Sequence, residues 1–199
     1  MRYQIFYGLA WLFALLVPLP VLSQTEMPAL AMDFVRGRVF FNSPDNEPYE
    51  ARVGQHLISS STSLITLVDG QCFFTAGEGE TRLKQETILA LTGRQQYELR
   101  QGLAGFKTAS AAMLLTTAHC AAEFSNAIVV VKANPVLTRL CVVKGSVLVK
   151  QGRQSATVPA GHEIAAAPQR LSKIYRHSDE LRFTWYWVDA AKEPALQKD

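Results

Sequence analysis

Leu140-Cys141-Val142-Val143-Lys144-Gly145-Ser146-Val147-Leu148-Val149-Lys150, followed by Val158-Pro159-Ala160-Gly161-His162, is the stretch that decides how this chain folds. Two β-branched runs meet at Gly145. In the second run, Val147 and Val149 face one way, while Ser146, Leu148 and Lys150 face the other, the period of a half-buried strand. Gly161 precedes a last short strand, Glu163-Ile164-Ala165.

Working outward, the same grammar recurs. Ala127-Ile128-Val129-Val130-Val131 is a continuous β-branched run suited to a strand buried on both faces. Ser63 to Val68 and Gln71 to Thr75 flank Asp69-Gly70, which predicts a tight hairpin. Phe34 to Phe41 reads as a strand interrupted by Gly37, and Asn42 to Pro48 as a polar loop. Gly77-Glu78-Gly79-Glu80 is a turn, and Thr81 to Leu91 reads as one long strand. Ala109 to Ala122 is divided between the helix preference of alanine and the strand preference of Leu114-Leu115-Thr116-Thr117. No internal repeat of fixed period is present. The expected class is all-β: a sandwich, roll or short β-helix-like solenoid with few or no helices after the N-terminal leader.

The chain has 199 residues and a formal charge of +3. Arg2 opens an uninterrupted apolar run from Ile5 to Val17, broken by Pro18 and Pro20 and ending at Ser23. That is the pattern of an export signal cleaved between Ser23 and Gln24, with retention as an N-terminal anchor as the alternative. No later segment is apolar enough to span a bilayer as a helix, and no basic run suggests a nucleic-acid surface. Export implies an oxidising compartment, in which the three cysteines, Cys72, Cys120 and Cys141, allow at most one internal bridge. Cys120 with Cys141 is the candidate disulfide, and buried thiols are the alternative.

The order of the glycines resembles the FecR domain of bacterial sensor and signal-transducer proteins. Gly37-Arg38-Val39 resembles its opening G-x-V, and Gly54-Gln55-His56-Leu57 its G-x-x-L. Leu67-Val68-Asp69-Gly70 resembles its L-x-D-G, and Leu99-Arg100-Gln101-Gly102 its L-x-x-G. Leu114-Leu115-Thr116 looks like the edge of the segment that follows. Val143-Lys144-Gly145-Ser146-Val147 and Val158-Pro159-Ala160-Gly161 resemble the elements that close the domain. The similarity covers about Asp33 to Ala167, with a C-terminal extension from residue 168 to 199. After Gly54 the chain departs from the family's G-D-x-I-x-T-G. The resemblance implies a periplasmic sensing or scaffolding role. Family members that control sigma factors carry a cytoplasmic helical segment, and only a handful of residues precede the apolar run here. This chain is therefore not expected to hold a sigma factor by that route.

Leu115-Thr116-Thr117-Ala118-His119-Cys120 imitates the histidine motif of trypsin-like proteases. Such enzymes need an aspartate and then a serine downstream, to orient the imidazole and be activated by it. The first aspartate after His119 is Asp179, and no serine follows it, so a triad in that order is excluded. His56, His119, His162 and His177 show no close pair or HExxH spacing, and no metal or cofactor is expected. Glu123 shares a face with His119 if Ala109–Ala122 is helical. Near the C-terminus, Leu181, Phe183, Trp185 and Trp187 alternate with Arg182, Thr184, Tyr186 and Val188. Trp185, Tyr186 and Trp187 are the candidate partner-binding residues, unless that face is buried as part of the core.

The sequence therefore predicts an exported, non-catalytic binding, sensing or scaffolding module of the bacterial envelope, periplasmic or secreted. Its partner would be an envelope protein or polysaccharide. The competing expectations are a structural envelope component pairing through its aromatic C-terminal strand, and a hydrolase using His119.

Overall fold

The computed structural model describes residues 30–56, 58, 61–177 and 181. Along the chain the strands are β1 (Leu30–Arg36), β2 (Val39–Ser43), β3 (Asn46–Glu50), β4 (Gly54–His56), β5 (Ser63–Thr66) and β6 (Gln71–Ala76). Then follow β7 (Gly79–Leu83), β8 (Ile88–Gly93), β9 (Gln96–Lys107), β10 (Met113–Thr116), β11 (Ala121–Phe124) and β12 (Ile128–Ala133). The last are β13 (Thr138–Lys144), β14 (Ser146–Gln151), β15 (Gln154–Pro159), β16 (His162–Ala167), β17 (Arg170–Leu171) and β18 (Tyr175–Arg176). The strands begin just before Asp33 and continue beyond Ala167, where β17 and β18 belong to the C-terminal extension.

These strands form one open, all-β sheet folded into two layers. The first layer runs β4–β1–β6–β7–β9–β12–β13–β16, with β17 and β18 beyond β16. The second runs β3–β2–β5–β8–β9–β10–β11–β14–β15. Strand β9 belongs to both. Its first half pairs with β8 and β10, it bends at Gly102, and its second half pairs with β7 and β12. Only the β9–β10 pairing is parallel among the described pairs.

Between the layers lies the main core, which includes Phe41, Phe74, Leu89, Tyr97, Phe106, Met113, Val129, Val131, Leu140, Val147 and Val149. The period-two reading of β14 holds: Val147 and Val149 point into this core, and Ser146 and Lys150 are exposed. The unbroken run in β12 is buried on both faces. Val129 and Val131 join the main core, and Val130 joins a second cluster. The ambiguous stretch 109–122 holds strand β10 and the start of β11, because Met113, Leu115, Ala122 and Phe124 are needed between the layers. Burial overrides the helix preference of its alanines.

Three predicted elements are corrected. Asp69-Gly70 does not close a hairpin, since β5 and β6 lie in different layers and do not pair. Thr81–Leu91 is not one strand: it leaves the first layer after β7, turns at Glu86 (φ 56°) and enters the second as β8. Asn42–Pro48 is the tip and part of a β2–β3 hairpin rather than a loop.

Layer crossings explain the glycine pattern. The β1–β2 corner at Gly37-Arg38 lies beside the β5–β6 corner at Asp69-Gly70. Leu67 donates its amide to the Arg38 carbonyl at 3.0 Å, and Arg38 Nε pairs with Asp69 Oδ1 at 3.3 Å. Gly37 has φ +66°, and a Cβ there would overlap the Asp69 carbonyl oxygen. A Cβ on Gly70 would overlap the Arg38 carbonyl oxygen. Each corner thus needs a residue without a side chain so that two backbones can touch.

Candidate recognition surface

The histidine that imitates a protease motif is explained by a turn. Thr117, between β10 and β11, accepts the amides of His119 (3.2 Å) and Cys120 (3.1 Å) on its hydroxyl oxygen. Its own amide donates to the Cys120 carbonyl at 2.9 Å. Thr138 donates to the same hydroxyl from β13 at 3.0 Å. His119 is 9% exposed, and its Nε2 donates to the Asn134 carbonyl at 3.2 Å. Asn134 sits in the β12–β13 turn, where its Oδ1 accepts the amides of Val136 and Leu137. His119 thereby fastens a turn of one layer to a turn of the other. Glu123 does not accompany it; that carboxylate pairs with Lys150 at 3.3 Å.

His119 also lines a cleft of about 600 Å³ with Gln151, Arg153, Gln154, Pro168 and Gln169. Among the described residues no carboxylate or aliphatic hydroxyl lines it beside the imidazole. A smaller cleft of about 520 Å³ lies across the Asn134 turn, between Lys84, Gln101, Leu103 and Lys132. Among the described residues no three His, Cys, Asp or Glu side chains are grouped to hold a metal.

The three cysteines are buried, and none is in a disulfide. The expected Cys120–Cys141 bridge is not formed, for a geometric reason. Cys120 packs in the core between the layers, whereas Cys141 belongs to the separate cluster around Val130. Burial pushes the thiols of Cys72 and Cys120 above their ordinary range, which keeps them protonated and unreactive. Trp185, Tyr186 and Trp187, and the export junction at Ser23 and Gln24, lie outside the described residues.

The open sheet leaves strand edges, and they are not equivalent. In the second layer β3 ends one side with Asn46-Glu47-Pro48-Tyr49-Glu50, fully exposed, carrying two carboxylates and a proline. Charge and proline are the usual protection of an edge against pairing with another chain. In the first layer β4 has three residues and β18 two. β15, at the other side of the second layer, is different. Gln154-Ser155-Ala156-Thr157-Val158-Pro159 is six residues long and has no charge, and it pairs only with β14 among the described strands. Val158 anchors it in the core, while Ser155 and Thr157 are exposed. Its first residue, Gln154, is also part of the wall of the larger cleft. The local signals for β15 are a strand-length run without charge and Pro159, whose missing amide suits an edge strand.

One aromatic group reaches from the core to the surface, with Phe41 buried, His56 half-buried and Tyr49 exposed. Tyr49 stacks on Phe41 with ring centroids 5.1 Å apart, and His56 lies 4.9 Å from Phe41. Other exposed apolar residues, such as Val53, Val68 and Val136, stand in separate connections, β3–β4, β5–β6 and β12–β13.

No protein-family model matches the chain, and no curated protein does. Among solved structures, the chain is similar to a candidate anti-sigma factor from Parabacteroides distasonis. The match has 14% identity and a TM-score of 0.53, and covers 63% of this chain and 64% of that one. A second candidate anti-sigma factor from the same organism matches with 18% identity and a TM-score of 0.40, over 62% of this chain and 58% of the other. The matches thus span less than two thirds of either neighbour. The first likeness is one of fold.

Proposed function

We propose that this protein is an exported, non-catalytic binding and sensing module of the FecR kind in the bacterial envelope. Its partner is a protein that presents an extended segment. The segment adds to the second layer along β15, with one end in the cleft beside His119. Backbone hydrogen bonds to the edge supply affinity, and contacts with Ser155, Thr157 and the cleft wall supply selectivity. One observation carries this reading: β15 is the longest uncharged edge among the described strands, with its proline confined to the last position, whereas β3 carries Glu47 and Glu50 and has Pro48 at its centre. The glycine order shared with FecR domains and the fold likeness to a candidate anti-sigma factor support the sensing side of the reading.

Photo-crosslinking amino acids placed at Ser155 and Thr157, and in parallel at Glu47 on β3, test it in cells that produce the protein. Capture of one discrete partner from β15 and not from β3, abolished at Ser155 by Thr157→Pro (the register turns the Thr157 amide away from β14) in a folded protein, is the expected result. Equal capture from both edges, or capture that survives the proline, would show that β15 is not the docking strand.

A further inference from the structure

Register fixes which backbone groups of β15 face outward. Gln151 stands opposite Gln154 across a two-residue turn, and beyond the strand Ala160 donates its amide to the Gly145 carbonyl at 2.9 Å. Gln154, Ala156 and Val158 therefore hydrogen-bond to β14, and the amides and carbonyls of Ser155 and Thr157 point away from it. Pro159 has no amide, so the donors open to a docked segment are those of Ser155 and Thr157. Side chains alternate as well. Ala156 and Val158 pack on the core, while Ser155 and Thr157 are exposed.

At its Gln154 end the strand runs into the larger cleft. Arg153 lines that cleft, is exposed, and enters no salt bridge among the described residues. Bonds between turns hold the walls. Gln151 Nε2 donates to the Ala167 carbonyl at 2.6 Å, and Gln154 Oε1 accepts the Leu171 amide at 3.0 Å. Both glutamine acceptors are thereby withdrawn, since Gln151 Oε1 is buried and Gln154 Oε1 is occupied. Gln154 Nε2 remains as a donor beside the Arg153 guanidinium. His119 directs its Nε2 hydrogen to the Asn134 carbonyl. With no carboxylate in its lining, this end of the β15 edge is a group of donors around one full positive charge.

Strand direction then decides what meets that charge. A segment parallel to β15 brings its N-terminal end to the cleft, where Arg153 repels an ammonium. An antiparallel segment brings its C-terminal end, and a carboxylate fits the planar fork of a guanidinium. We propose that the segment recognised along β15 is the free C-terminus of a protein, bound antiparallel with its terminal carboxylate on Arg153 and Gln154. The inference rests on the β15 reading and gives the partner a direction and an end. Tail residues on the side of Ala156 and Val158 prolong the core face of the second layer, so the tail carries apolar side chains at alternate positions.

Two display libraries of random peptides test it, one ending in a free carboxylate and one continued by an invariant Gly-Ser tail. Binders are resynthesised as the acid and as the C-terminal amide. Fluorescence anisotropy measures their affinities, and p-benzoylphenylalanine at Ser155 of the full chain locates them. Binders from the free-ended library, apolar at alternate positions and crosslinking at Ser155, are expected, with amidation weakening them at least tenfold. Arg153→Gln should lower the affinity of the acid to that of the amide and leave the amide unchanged, and Arg153→Lys should restore part of the difference. Arg153 is exposed in a turn, and circular dichroism verifies that these variants are folded. Peptides that crosslink at Ser155 but bind equally as acid and amide would overturn the proposal and leave β15 as the docking edge for an internal segment. Absence of any binder that crosslinks at Ser155, from either library, would overturn the β15 reading and this inference with it.

Discussion

Gly37 and Gly152 form a matched pair for testing why glycines recur at the layer corners. Both have left-handed backbones, with φ +66° and +55°. They differ in surroundings. A Cβ at Gly152 meets nothing within 4 Å, whereas one at Gly37 would overlap the Asp69 carbonyl oxygen and stand 2.5 Å from its carbon. Gly152→Ala therefore incurs only the left-handed cost, about 1–2 kcal/mol. Gly37→Ala incurs that cost and also forces two corners apart. Backbone displacement of this kind adds about 1–3 kcal/mol, and loss of the Leu67 amide bond to Arg38 adds about 1 kcal/mol. The exposed Arg38–Asp69 ion pair contributes little. The expected loss is about 1–2 kcal/mol at Gly152 and about 3–6 kcal/mol at Gly37. For a chain of this size each kcal/mol lowers Tm by about 2–4 °C. Urea unfolding followed by far-ultraviolet circular dichroism, with m unchanged, measures both. If the two alanine variants differ by less than about 1 kcal/mol, close contact between the corners is not what holds glycine at position 37.

Tyr97 and His119 give two further predictions. Burial between the layers raises the Tyr97 phenol to about 12, against about 10 in the unfolded chain. The unfolded state releases this proton first, so the contribution is intact below pH 10 and is lost as pH rises toward 12, by about 2–3 kcal/mol. Tyr97→Phe is expected to remove that part of the alkaline slope, and parallel unfolding curves at pH 9 and pH 11.5 check it. His119→Ala should lower stability by about 1 kcal/mol through the lost bond to the Asn134 carbonyl, and weaken without abolishing crosslinking from Ser155, since the imidazole is one wall of the cleft. Complete loss of capture in a folded His119→Ala protein would make the imidazole the main contact of the site and refute the edge of β15 as the source of affinity.

The strands were largely legible because their signals are local. Val147 and Val149 alternate with polar neighbours, and their half-buried pattern follows directly. The run from Val129 to Val131 announced burial on both faces, and both faces are indeed covered. Asp69-Gly70 misled because its signal marks a change of direction, and a hairpin and a layer corner share the same turn chemistry. Thr81 to Leu91 misled for a related reason. Its two halves each suit a strand, and Glu86, in a left-handed conformation, carries no local mark of the turn. Thr117 and His119 read as a protease fragment in one dimension; their hydrogen bonds to Cys120, Thr138 and Asn134 give them a structural task.

By itself, the amino-acid sequence determined the all-β class, the faces of individual strands and the glycines at which the chain turns. Those properties depend on side-chain period and backbone freedom within a few residues. Only the tertiary structure decided which strands share a layer, that β15 has one neighbour among the described strands, that Cys120 and Cys141 lie in separate clusters, and that the outward row of Val130, Cys141 and Glu163 in the first layer is buried. These depend on pairing between segments far apart in the chain, where an edge strand and a central strand can have the same composition and differ only in what lies beside them.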